Sequence, residues 1–187
     1  MKRALAAAAL ALGAAAVAGA GFLVMISLGD DEASGVSCPG EEAGACIPDL
    51  AMEDRSGEVW DQAALEGQVV VVNFWATWCR PCLEEIPELA EVHDRYGDRG
   101  VVVLGVMMDR PGEEELEAFI DDTGLNYPVV PADQDIVRAF GYPDLLPTTY
   151  VYGRAGEREL SHQGVVTADQ LSELLGDLLA EHAPDEA

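Results

Sequence analysis

Two cysteines separated by two residues lie in the stretch Asn73-Phe74-Trp75-Ala76-Thr77-Trp78-Cys79-Arg80-Pro81-Cys82. Such a pair does one of two kinds of chemistry: two-electron thiol–disulfide exchange, or half of a zinc site. Zinc needs two further ligands, most often a second close pair. The other cysteines, Cys38 and Cys46, are widely spaced, and His93, His162 and His182 are scattered. The residues therefore favour a redox dithiol, with no resident metal and no cofactor beyond the Cys79–Cys82 pair itself.

The spacing also says how the pair is activated. Pro81 fits the first turn of a helix, where its missing N–H has no intrahelical partner to lose. Cys79 then faces the unpaired N–H groups and the positive end of the helix dipole, both of which lower a thiol's pKa, and Arg80 adds a cation. Cys82 follows at i+3, on nearly the same face, within reach of the Cys79 sulfur.

The elements that hold this pair are strands and helices in alternation. Residues 69–74 are a β-branched run, as a strand buried on both faces requires, and residues 101–107 read as a second. Between them Cys82, Ile86, Leu89, Val92 and Tyr96 recur at helical spacing until Gly97. Pro87 inside that pattern is expected to bend the helix. Residues 50–52 and 58–60 suggest a hairpin, and 61–65 a helical turn. Helices are expected over 113–122 and 135–140, a short extended segment over 127–130, and a hairpin over 148–152 and 158–163. Thr167 caps a last amphipathic helix. This order predicts an α/β fold: a central mixed sheet, flanked by helices on both faces. By spacing His93 falls on the exposed side of its helix, Met107-Met108 reads as core packing, and Trp75 and Trp78 fill core and rim.

Lys2-Arg3 precede an uncharged apolar stretch, residues 4–28, followed by Asp30-Asp31-Glu32. That length suits a spanning helix better than a signal-peptide core, although Ala18-Gly19-Ala20 reads as a cleavage site. The flanking charges orient the bulk of the protein outside the cytoplasm. Residues 1–29 are thus a signal anchor or a signal peptide, and 30–46 a stalk carrying Cys38 and Cys46. Residues 47–182 form the folded domain and 183–187 a tail. Cys38 and Cys46 are expected to close a small structural disulfide in an oxidising compartment; a second redox pair or a metal site is the alternative. The chain of 187 residues carries 35 acidic against 10 basic side chains, a net charge of −25. Such a surface repels phosphate backbones and disfavours nucleic acid as a partner, while an apolar content of 49% argues against a disordered acidic chain. The acidity fits a solvated surface, basic partners or adaptation to high salt.

Trp78-Cys79-Arg80-Pro81-Cys82 resembles the active site of thioredoxin-fold oxidoreductases. Together with residues 72–78, the stretch Cys82-Leu83-Glu84-Glu85-Ile86-Pro87, and Leu146-Pro147-Thr148-Thr149, it resembles the membrane-tethered TlpA-like branch, with its ResA-type and CcmG-type reductants. The resemblance implies a thioredoxin-like fold and reversible exchange with protein thiols and disulfides outside the cytoplasm, often serving cytochrome c maturation. It implies apocytochrome c as a substrate and a membrane disulfide reductase as electron donor. Cys79 is then the attacking thiolate and Cys82 the resolving thiol. Thioredoxins place a buried Asp before the Phe-Trp pair; here Asn73 cannot take a proton, and Glu85, at i+3 from Cys82, is the candidate for that task, with a solvated surface charge as the alternative. Pro147 resembles the cis-proline set opposite the dithiol. Leu146, whose backbone pairs with an extended substrate segment, joins Trp78, Arg80 and Pro81 as substrate contacts. A reading of a different class is a copper chaperone resembling the Sco type; those sites use three residues between the cysteines, whereas this pair has two. A peroxide-reducing variant lacks its usual motif here.

Overall fold

The computed structural model describes residues 43–180. In chain order the elements are β1 (Met52–Glu53), β2 (Val59–Trp60), α1 (Gln62–Leu65), β3 (Val69–Trp75), α2 (Arg80–Tyr96), β4 (Val101–Met107), α3 (Glu113–Thr123), β5 (Val129–Pro131), α4 (Gln134–Ala139), β6 (Thr148–Tyr152), β7 (Arg158–Gln163) and α5 (Ala168–Ala180). β1 and β2 form a hairpin of their own, and the other five strands form one sheet in the order β5-β4-β3-β6-β7. β3, β4 and β5 run parallel; β6 and β7 are antiparallel.

The valine run of β3 explains its central place. All seven of its residues are buried, and each buried valine contributes about 1.5–3 kcal/mol by leaving water. Val69, Val71 and Trp75 face a layer that includes Ile86 and Leu89 of α2, Leu116 of α3 and Leu171 and Leu175 of α5. Val70, Val72 and Phe74 face Met52, Leu65, Ile136 and Phe140 on the other side. β7 alternates half-buried with exposed residues, as an edge strand with one solvated face should.

Register decides which side chains meet. Asn73 stands opposite Gly105 of β4 and Thr149 of β6. At Gly105 a Cβ would lie 2.8 Å from both Trp75 Nε1 and Tyr127 Cε2, so only glycine lets these rings close over the strand. Three helix starts, those of α1, α4 and α5, are capped by short polar side chains. Asp61 and Asp133 accept from Ala64 N–H and Ile136 N–H, and Thr167 exchanges bonds with Gln170 in a capping box. α2 is capped differently, by a sulfur.

The start of the folded body corrects the expected boundary at residue 47. Residues 43–46, read above as stalk, are already packed: Tyr152 OH donates to Gly44 O, Arg158 N–H to Ala45 O, and Cys46 bridges Glu157. Backbone bonds, not bulky apolar side chains, hold them. Cys46 is buried, while Cys38, its expected partner, and residues 1–29 lie outside the described residues. Among the described residues no helix is long and apolar enough to cross a membrane.

Candidate active site

Cys79 and Cys82 are joined in a disulfide, S–S 2.03 Å. Cys79 is the N-cap of α2, and its Sγ accepts from the Cys82 N–H at 3.3 Å, so the sulfur does what a Ser or Asp oxygen does at other helix starts. That bond and the helix dipole favour negative charge on this atom when the pair is reduced. Cys79 is 4% exposed and Cys82 0%, so Cys79 is the less buried of the pair.

The loop carrying Cys79 is pinned at both ends. Met108 N–H donates to Trp75 O at 2.8 Å and Cys79 N–H to Ala76 O at 3.1 Å. Asp109, just past β4, accepts from Thr77 N–H at 3.2 Å and from Thr77 Oγ1 at 2.5 Å. This latch was not foreseen: Thr77 and Asp109 are 32 residues apart, and only the parallel pairing of β3 with β4 makes them neighbours.

The Leu146–Pro147 peptide is cis. Because Thr148 pairs with Phe74, Pro147 lies at the end of β3 from which the chain runs into the dithiol. Its carbonyl accepts from Gly164 N–H at 2.8 Å. Leu146 packs against both core layers, while Arg80 and Pro81 are exposed. Trp78 is 72% exposed, and with Leu83, Leu145 and Tyr142 it makes up four of the five large apolar side chains exposed among the described residues. All four lie in the segments flanking the dithiol and the cis-proline.

Glu85 is not a surface charge. It is fully buried one turn below Cys82, in a ring of donors. Oε1 accepts from Val166 N–H at 3.0 Å and Thr149 Oγ1 at 3.2 Å; Oε2 accepts from Asn73 Nδ2 at 2.7 Å, and the same Nδ2 donates to Thr149 Oγ1 at 2.9 Å. Burial pushes the Glu85 carboxyl up to about 7, against the lowering effect of these bonds. A group balanced there can take a proton from a thiol and give it up again at neutral pH. Tyr127, whose hydroxyl is kept well above its ordinary range by burial and by Glu85, stays neutral beside it. Thr149 and Val166 could not be assigned from the sequence, because they meet Glu85 only through the fold.

Met107 is buried and Met108 packs against the core; α2 runs unbroken through Pro87. His93, expected on the exposed side, is half-buried, with Nδ1 enclosed. Among the described residues no group of three His, Cys, Asp or Glu side chains is arranged to hold a metal.

Residues 43–157 match the AhpC/TSA family. The chain is 36% identical over 140 residues to the thiol-disulfide oxidoreductase ResA of Oceanobacillus iheyensis, covering 72% of each chain. Its fold matches a crystal structure of a putative thiol:disulfide interchange protein DsbE from Chlorobium tepidum with a TM-score of 0.63 and 26% identity, over 74% of this chain and 98% of that one. A secreted thiol-disulfide isomerase from Corynebacterium glutamicum is matched with a TM-score of 0.63 and 25% identity, over 72% of this chain and 85% of that one. The dithiol capping a helix, the cis-proline at the same end of the sheet and the buried carboxyl behind the second sulfur thus stand in a chain that belongs to the AhpC/TSA family of thioredoxin-like proteins and is a thiol–disulfide oxidoreductase of the ResA/DsbE type.

Proposed function

We propose that the protein reduces disulfides of other proteins outside the cytoplasm, in cytochrome c maturation, with apocytochrome c among its substrates. Cys79 thiolate attacks one sulfur of the partner's disulfide, a mixed disulfide forms, and the partner's other sulfur leaves as thiolate. Cys82 then attacks Cys79; the Cys79–Cys82 bond forms, the mixed disulfide breaks, and the partner departs with two electrons. Glu85 takes the proton from Cys82 as it becomes the nucleophile. Trp78, Arg80, Pro81 and the Leu146-Pro147 backbone form the surface on which the partner's extended segment lies.

The observation that carries this order of events is the position of the sulfurs: Cys79 caps the head of α2 and keeps a small exposure, while Cys82, one turn in, has none. The direction of electron flow follows the resemblance to ResA-type and CcmG-type reductants, with a membrane disulfide reductase as donor. A location beyond the membrane is supported by Lys2-Arg3, the apolar residues 4–28 and the acidic residues after them, as an anchor or a cleaved signal. Likeness to a secreted isomerase agrees with it. Residues 30–42 then form the stalk, and Cys38 with Cys46 a staple at its base.

The test is a Cys82→Ser trap in cells. With resolution blocked, mixed disulfides through Cys79 accumulate and identify the partner; an accessible Cys79 that captures nothing overturns the proposal. Copper retained stoichiometrically by Cys79 and Cys82 through purification would instead favour the chaperone reading.

A further inference from the structure

Glu85 must live in two protonation states inside a ring of groups that, as they stand, suit only one. Val166 offers a backbone N–H, which can only donate, so Oε1 remains an acceptor whatever the state of the acid. Oε1 already receives two donors and Oε2 only one, so the less engaged Oε2 is the oxygen that takes an arriving proton. That oxygen faces Asn73 Nδ2 at 2.7 Å, and two donors pointed at each other at this distance repel. Asn73 is itself 0% exposed, and its Oδ1 has no hydrogen-bond partner among the described residues.

We infer that Asn73 is a two-way hydrogen-bond switch for Glu85: Nδ2 holds the ionised carboxylate, and a half-turn of the amide presents Oδ1 to the protonated acid. This rests on the reading of Glu85 as the group that takes the Cys82 proton. The half-turn exchanges donor and acceptor at one place without moving the backbone. It breaks no existing bond on the Oδ1 side, and one end of the amide is unpaired in either orientation, so the proton on Glu85 decides between them. The Thr149 hydroxyl completes the exchange. It now donates to Glu85 Oε1 and accepts from Nδ2; after the half-turn it donates to Oδ1, leaving Oε1 to Val166. An aspartate at position 73 would set two carboxyls against each other here, and an apolar residue would serve neither state.

Each element packed around Glu85 allows this. β6 brings Thr149 and the segment before β5 brings Tyr127, held neutral. On α2 itself Cys82 lies one turn above, and Glu88 is engaged with Ala168 N–H at 2.7 Å. The segment after β7 contributes only the Val166 amide. Asn73 is thus a positioning residue, acting on the sulfurs through Glu85.

The experiment is nitrogen and carbon NMR of the full-length, oxidised protein between pH 5 and 9, following the Asn73 side-chain amide and the Glu85 carboxyl carbon. The two should titrate with one midpoint, the Asn73 amide protons being protected above it and exchanging faster below. In Glu85→Gln the Asn73 signals should not move with pH. An Asn73 amide that stays fixed while Glu85 titrates overturns the switch and leaves the proton-acceptor role standing. So does an Asn73 titration that persists in Glu85→Gln. A Glu85 that does not titrate in this range overturns the acceptor role and the switch with it.

Discussion

Asp54 and Glu85 are both buried carboxylates, and the protein holds them in opposite conditions. Asp54, in the β1–β2 hairpin, accepts from Ser56 N–H at 2.8 Å, Ser56 Oγ at 2.6 Å, Glu58 N–H at 3.1 Å and Trp60 Nε1 at 3.0 Å. Burial lifts its pKa, but these donors outweigh burial and hold it below its ordinary value. Glu85 has three donors and lies deeper; there burial wins, and the group sits at about 7. The donors of Asp54 all come from within six residues along the chain. Those of Glu85 come from 12, 64 and 81 residues away. A carboxylate paired by its own turn is a permanent anion that shapes a hairpin. One paired by distant segments of the core is poised between charge states, beside the atoms that exchange protons.

The contrast can be broken most completely by removing what Glu85 serves. Cys79→Ser should reduce disulfide exchange to background in a turnover assay while Asp54 and its hairpin stay intact. Next in size, Glu85→Gln should slow exchange at pH 7 by about 100-fold, the lower end of what a positioned proton acceptor contributes. It should also stabilise the oxidised fold above neutrality. Between the ordinary carboxyl value of 4.5 and about 7 the folded protein keeps a proton that the unfolded chain has released, so stability falls as pH rises through that window. Denaturant unfolding should show Glu85→Gln gaining up to about 3 kcal/mol on the wild type between pH 4.5 and pH 8. An identical pH dependence in both proteins would remove Glu85 from the proton chemistry.

Asp54→Ala should do the reverse, lowering stability by about 2 kcal/mol by leaving its donors unpaired and sparing the exchange rate. Because the Asp54 pKa is depressed, its contribution is present above the ordinary value of 3.8 and is lost as pH falls through the lower, folded value. The penalty measured for Asp54→Ala should shrink correspondingly in acid. The smallest expected effect is that of Asp109→Ala, which frees the Thr77 end of the dithiol loop. It should cost about 1 kcal/mol and slow exchange a few-fold, with the pH profile of Glu85 unchanged.

The dithiol, the long helix behind it, the strands and the proline at position 147 were legible because each is written locally, as a spacing or a run. Even Glu85 could be picked out, by its place three residues after Cys82. Its burial and its partners could not, since Thr149 and Val166 reach it only through the order of strands in the sheet. The Thr77–Asp109 latch was missed for the same reason. Asp54 carried a weaker local signal, an Asp two residues before a Ser in a turn, which marks the turn but not the indole of Trp60 closing on it. Residues 43–46 misled because small residues look like linker; they are held through main-chain atoms, which composition does not register.

The apolar side chains around the sulfurs have a consequence of their own in a molecule of net charge −25. In dilute buffer, long-range repulsion keeps other acidic proteins from ever touching Trp78 or Leu145. Salt shortens that repulsion, to about 10 Å at 0.1 M, but leaves the attraction between greasy surfaces intact. The range of proteins that reach Cys79 should accordingly widen in brine and narrow in fresh water, so that the surroundings, as much as the sulfurs, choose the clientele.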